Sequence, residues 1–157
     1  MFALTPDHLS GPILDCAAGP ASFNAELSAE GHKVISCDPL YRSTTREIRL
    51  RVEAAHDTIV ANLRMARHEF GIALCSHFLL TYSDQFSTDF HVSAIEELCR
   101  VADQARVFPL LKSYGGPSPH LDPTVDALRG RGYRVEIRRV PYEFQRGGDE
   151  MLVASRG

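Results

Sequence analysis

Residues 13–23, ILDCAAGPASF, carry an apolar run into a helical pattern across a segment almost bare of side chains. PILDC over 12–16 suits a short buried strand ending in a turn. Ala17, Ala18, Gly19 and Ala21, with Pro20 among them, then let another molecule lie close against the backbone. SFNAELSAEG over 22–31 reads as a helix: Ser22 can cap it, Ala21, Phe23 and Leu27 share a face, and Gly31 stops it. A strand, a bare turn and a helix in that order restrict the chain to folds that alternate the two element types.

The rest of the sequence continues the alternation. KVISC (33–37) is a second strand, closed by Asp38-Pro39. From about residue 43 to 67, Ile48, Val52, Ala55, Ile59 and Leu63 recur at helical spacing. GIALCSHFLL (71–80) opens as a strand, and DFHVSAIEELCRVA (89–102) is an amphipathic helix with Ile95, Leu98 and Val101 on one side. ARVFPLL (105–111) is a strand, and LDPTVDALRGRG (121–132) a helix, with Asp122 as its cap and Pro123 at its first position. YRVEIRRV (133–140) alternates as a half-exposed strand does, and EMLVASR (150–156) folds back on it after Gly147-Gly148. Strand–helix–strand repetition predicts an α/β fold, a doubly wound, mostly parallel sheet with one antiparallel strand near the C-terminus. The 157 residues read as a single domain, 1–157, without repeats.

A net charge of −3 gives no basic field for nucleic acid or an anionic membrane. The arginines at 129, 131, 134, 138 and 139 are diluted by Asp126, Glu136, Glu143 and Asp149 and read as a solvated face. Cys16, Cys37, Cys75 and Cys99 form no C-x-x-C pair and read as reduced, buried thiols of a cytoplasmic protein. The seven histidines show no metal-binding spacing, no apolar run approaches membrane-spanning length, and the N-terminus carries no secretory signal.

In doubly wound sheets ligands bind beyond the carboxyl ends of the strands, and the first strand-to-helix turn is such a place. Asp38 ends the second strand nineteen residues after Gly19, where an acid can accept hydrogen bonds from both hydroxyls of a ribose. Turn and acid together favour an adenosine-containing cofactor over a bare tight turn. The pattern Asp15-x-Ala17-x-Gly19-x-Ala21 departs from G-x-G-x-x-G, and an acid at the strand end suits a cationic amino group better than a pyrophosphate. S-adenosylmethionine offers an ammonium and a sulfonium in that region.

With those residues in place, ILDCAAGPASFNAELSAEGHKVISCDPLY resembles the first motifs of class I S-adenosylmethionine-dependent methyltransferases, with Ala in place of two of the usual glycines. FGIALCSHFLLTYSDQ resembles the fourth-strand motif of their small-molecule branch, and the run from CRVADQARVFPLL to YEFQRGGDEML is similar to uncharacterised bacterial methyltransferase-like proteins. The resemblance implies that Asp15, Cys16, Ala17, Gly19 and Pro20 hold the methionine end of the cofactor. It implies that Asp38 takes the ribose hydroxyls, that Pro39 and Leu40 flank the adenine, and that Ser76 and His77 lie beside the transferring methyl. NLRMARHEFGIALCSH passes directly from the 43–67 helix to the next strand, where the family has a further strand and helix. The expected sheet therefore lacks the usual third strand, and KVISC becomes an edge able to pair with a second copy in a homodimer.

Methyl transfer is an in-line displacement that needs positioning, with a base when the nucleophile is a hydroxyl. His77 is the candidate base, weighed against a purely hydrogen-bonding role. Tyr82 and Asp84 line the acceptor side or are turn residues, the 142–148 loop lids the site or is a plain hairpin connection, and His91 and His120 stand at helix starts. Cys16 and Cys75 read as small hydrophobes rather than nucleophiles. The leading expectation is a methyltransferase for a small molecule. Its alternatives are a non-catalytic binding protein of the same fold and, behind it, an NAD-dependent oxidoreductase.

Overall fold

The computed structural model describes residues 2–16, 23–37, 69–143 and 145–157. The helical pattern over 43–67, the Ser22 cap, and Ala17, Gly19, Pro20, Asp38, Pro39 and Leu40 lie outside the described residues. The strands are β1 (Ile13–Cys16), β2 (Val34–Cys37), β3 (Phe70–Ser76), β4 (Ala102–Phe108), β5 (Tyr133–Arg139) and β6 (Glu150–Arg156). The helices are α1 (Phe23–Ala29), α2 (Thr88–Val101) and α3 (Leu121–Gly130). The sheet runs β2-β1-β3-β4-β6-β5. Its first four strands are parallel, and β6 is antiparallel to both β4 and β5. Among the described residues β2 is an edge, as the shortened sequence predicts.

Strand side chains alternate between two faces, so each strand supplies two cores. On one face Ile13, Ile72, Leu74, Phe108, Met151 and Val153 are buried, with Phe23 and Leu27 of α1 and the N-terminal Phe2 packed against them. On the other, Cys75, Ala105, Val107, Leu152 and Ala154 meet Val92, Ile95 and Cys99 of α2 and Val125 and Leu128 of α3. Leu14 and Ala73 extend that face toward β2. No described helix is long and apolar enough to cross a membrane.

Two element starts differ by more than one residue from the sequence reading. Strand β4 begins at Ala102 rather than residue 105, directly after α2, because Ala102 pairs with Phe70 of β3. In helix α3 the cap lies two residues earlier than Asp122: the His120 carbonyl accepts the Thr124 N–H at 3.0 Å, so His120 is the cap residue, and no side chain caps it. Asp122 falls within the first turn, where its charge still favours the helix N-terminus, and Pro123 lies inside the helix rather than at its first position. Helix α2 is capped by Ser87, whose Oγ accepts the Phe90 N–H at 3.2 Å.

The arginine cluster is a solvated face held by ion pairs. Arg131 meets Glu96, Arg138 meets Glu136, and Arg139 lies near Asp149 and Glu150.

All four cysteines are free thiols. Burial pushes Cys75 up to about 12 and Cys99 up to about 11. Thiolate is the reactive form, so both should resist iodoacetamide in the native protein at about pH 8 and label fully in concentrated urea, as read by mass spectrometry. Leu74, fully buried in the middle of the sheet, is the sharpest packing test. Leu74→Ala should cost about 2–5 kcal/mol in urea unfolding.

Candidate functional site

The carboxyl ends of β1, β2 and β3 lie side by side, and register fixes what each presents. Asp15 stands between Ser36 of β2 and Leu74 of β3, Cys16 between Cys37 and Cys75, and Ser76 beside Phe108 of β4. The Asp15 side chain is buried, at 4% exposure. Ser36 Oγ donates to Asp15 Oδ2 at 3.3 Å. Asn24 Nδ2 in turn donates to Ser36 Oγ at 2.8 Å, and Ser28 Oγ donates to Asn24 Oδ1 at 2.9 Å. The carboxylate at the end of β1 is thus oriented by a relay through β2 into α1, the next described helix in the chain.

One residue further on, the Cys37 thiol donates to Cys16 Sγ at 3.4 Å. That hydrogen bond, then burial, hold the Cys16 thiol well above its usual range. Cys16 is therefore a neutral, compact group at the end of β1, in keeping with the sequence reading of a small hydrophobe.

At the end of β3, His77 has φ +50°, in the left-handed region that a residue with a side chain rarely occupies. Its backbone N–H donates to the Phe108 carbonyl at 2.8 Å, and Ser76 Oγ lies 2.8 Å from its Nδ1. The imidazole stands edge-on to the Phe108 ring at 6.1 Å. Burial lowers its pKa, which keeps the ring neutral near physiological pH. Strained backbone of this kind persists where the surroundings over-determine it, and functional sites are where it collects.

Three loops meet around this end of the sheet. The Ser113 N–H donates to the Thr81 carbonyl at 2.9 Å, Lys112 pairs with Asp84 at 3.2 Å, and Gln145 Nε2 donates to the Lys112 carbonyl at 3.2 Å. Tyr142, from the β5–β6 loop, comes to 5.9 Å from the Phe108 ring, and Tyr82 is 43% exposed on the loop after β3. His91 and His120 belong to the packing instead. His91 is fully buried with Nδ1 at 2.7 Å from the Ser87 carbonyl, and it stacks on His120 at 5.1 Å. Among the described residues no group of His, Cys, Asp and Glu is arranged to hold a metal ion.

Of the residues singled out from the sequence, Asp15, Cys16, Ser76 and His77 are brought to one end of two adjacent strands, β1 and β3. The relay through Ser36 and Asn24 went unread. Its signal was present, since ILDC and VISC end alike and, paired in parallel, set Ser36 beside Asp15.

No family model matches the chain. An uncharacterised protein of Methanocaldococcus jannaschii is 27% identical, covering 99% of this chain and 90% of its own length. That aligned stretch is 205 residues, longer than the 157 here, so the archaeal protein carries residues without a counterpart in this chain. Among solved structures, a methyltransferase of Methanosarcina mazei, described as dependent on S-adenosylmethionine, superposes with a TM-score of 0.55 at 16% identity, covering 98% of both chains. Magnesium protoporphyrin IX methyltransferase from Synechocystis, solved with bound S-adenosylmethionine, gives 0.54 at 15% identity, over 92% of this chain and 69% of its own. The strand order, the antiparallel C-terminal strands and these superpositions give the chain a class I methyltransferase-like fold.

Proposed function

We propose that the protein is an S-adenosylmethionine-dependent methyltransferase acting on a small molecule. The observation that carries the reading is the placement of a buried, hydrogen-bond-oriented carboxylate, Asp15, at the end of β1, with a neutral, backbone-strained histidine, His77, at the end of the adjacent strand β3. The donor set fits the cofactor's methionine end: Asp15 is an acceptor for an ammonium group, and Cys16 and Ser76 are small enough to lie against it. Ala17, Gly19 and Pro20 would complete that wall, with Asp38, Pro39 and Leu40 on the nucleoside. When bound, the cofactor supplies an electrophilic methyl group on sulfur. His77 then accepts the proton of an acceptor hydroxyl, a role open to it because burial favours the neutral ring. Tyr142 and Tyr82 give the acceptor side apolar surface.

The edge position of β2 among the described residues supports a second reading, a ligand-binding protein of the same fold without turnover. The same edge, where Ile35 is 43% exposed, supports pairing with a second copy through β2. Light scattering at micromolar concentration should then give a dimer, and a strict monomer would refute the pairing.

Titration calorimetry with S-adenosylmethionine, and separately with NAD, tests the cofactor. Asp15→Asn keeps the shape of the relay and removes the charge. It should weaken S-adenosylmethionine binding by about 1.5–3 kcal/mol, roughly ten- to hundredfold. Equal binding by both proteins would sink the assignment of Asp15. His77→Ala should leave cofactor affinity in place and cut turnover by roughly 10²–10⁴. In the native protein turnover should hold above about pH 6.5 and fall as pH drops through the lowered pKa of His77, because the base works only unprotonated. Cofactor binding without turnover on any acceptor would favour the second reading.

A further inference from the structure

The N-terminal segment crosses the α1 face of the sheet, and what holds it there is a buried cation. Arg106 of β4 is 2% exposed, and among the described residues no carboxylate pairs with it. Its guanidinium is satisfied by neutral acceptors. Nε donates to Gln104 Oε1 at 2.7 Å, and Nη1 donates to the carbonyls of Phe2 and, at 3.1 Å, Ala3. Nη2 lies 2.8 Å from His8 Nε2. Three of these four acceptors belong to residues 2–8. Ala3 is itself left-handed, at φ +48°, so the bond to its carbonyl holds a backbone conformation that L side chains rarely adopt.

A guanidinium has only donors, so His8 Nε2 must present a lone pair. Nδ1 then carries the neutral ring's proton toward Thr5 Oγ1 at 2.8 Å, in competition with the exposed Thr5 backbone N–H, which points at the same nitrogen from 2.9 Å. A second proton could go only to Nε2, where it would face Arg106 N–H and set one cation against another. The other groups around the ring do not reverse this. Arg138 of β5 adds repulsion, although Glu136 pairs with it, and Asp7 on the segment itself attracts. Burial and Arg106 act with Arg138, and the His8 pKa lies below its usual value. Gln104 of β4 is uncharged, and Met151 and Val153 of β6 are apolar. At the far end of the segment His32 Nδ1 lies 3.0 Å from the Leu9 carbonyl.

We propose that His8 is an acid-sensitive latch: neutral, it fastens the N-terminal strap, residues 2–8, to Arg106, and its protonation lets the strap lift from the sheet while Leu9 stays tethered to His32. A group whose pKa is depressed in the fastened state favours that state above the released-state value, about 6.5, and loses the preference as pH falls through the fastened-state value. Lifting the strap removes Phe2 from its edge-on contact with Phe108 at 6.4 Å, and Phe108 is the ring that backs His77. The latch stands on strap geometry alone and is independent of the cofactor reading.

Hydrogen–deuterium exchange on the full chain, followed for the peptide spanning the strap and corrected for intrinsic rates, tests it at about pH 7.5 and about pH 5.5. The native strap should exchange about tenfold faster at the lower pH, while β3 and β4 stay protected. His8→Gln offers Arg106 an amide oxygen that does not titrate, and should keep the strap protected at both pH values. His8→Ala offers no acceptor and should leave it open at both. Equal strap protection of the native chain at the two pH values would overturn the latch. So would acid opening that persists in His8→Gln, or opening that spreads to β3 and β4.

Discussion

Strand β1 is four residues long and hydrogen-bonded on both sides, and everything at the functional end depends on its register. That register draws a row across the sheet on one face: Ser36, Asp15, Leu74, Arg106, Val153 and Glu136. A slip of one residue in β1 would turn Asp15 into the helix-packed core and bring Leu14 to the relay. Strands lie about 4.8 Å apart, so the backbones of Asp15 and Arg106, with Leu74 between, are roughly 10 Å apart, and the Arg106 guanidinium turns to Gln104 and the N-terminal residues instead. Separation gives each charge its own task. Asp15 is oriented by a serine and an asparagine at the site, and Arg106 gathers carbonyls and an imidazole from the N-terminal strap. Were the two paired, both the carboxylate and the strap would lose their partners.

Much of this architecture is legible in the sequence because it is local. Short apolar runs that stop at a turn gave every strand its place, and helical spacing gave α2 and α3. Where structure and local pattern differ, a tertiary contact outweighs the pattern. VADQ after Cys99 continues the helical period, yet Ala102 leaves the helix to pair with Phe70, thirty-two residues earlier. LDP looks like a capped helix start, yet His120 provides the first carbonyl and Asp122 sits inside the turn.

The site divides the same way. Asp15 and His77 each follow an apolar run and are visible as polar residues at strand ends. The left-handed backbone of His77 is not visible, since no glycine marks it; it follows from the bond between its N–H and the Phe108 carbonyl on the next strand. Arg106 is the clearest case of what sequence alone conceals. In ARVF it reads as an ordinary strand residue, and its partners at Phe2, Ala3 and His8 lie about a hundred positions away, separations of 104, 103 and 98. No window of local sequence contains both halves of that contact.

Phe108 joins the two halves of the molecule's chemistry. It is fully buried, and its ring meets Phe2 of the strap, His77 of the candidate site and Tyr142 of the β5–β6 loop. Its carbonyl also fixes the His77 backbone. Close-packed interiors transmit displacement rather than absorb it. A strap that lifts therefore frees one edge of the ring whose other contacts are with His77 and Tyr142. Phe2 of the strap and His77 thus meet on that single side chain, while the Asp15 relay is anchored separately, from β2 and α1.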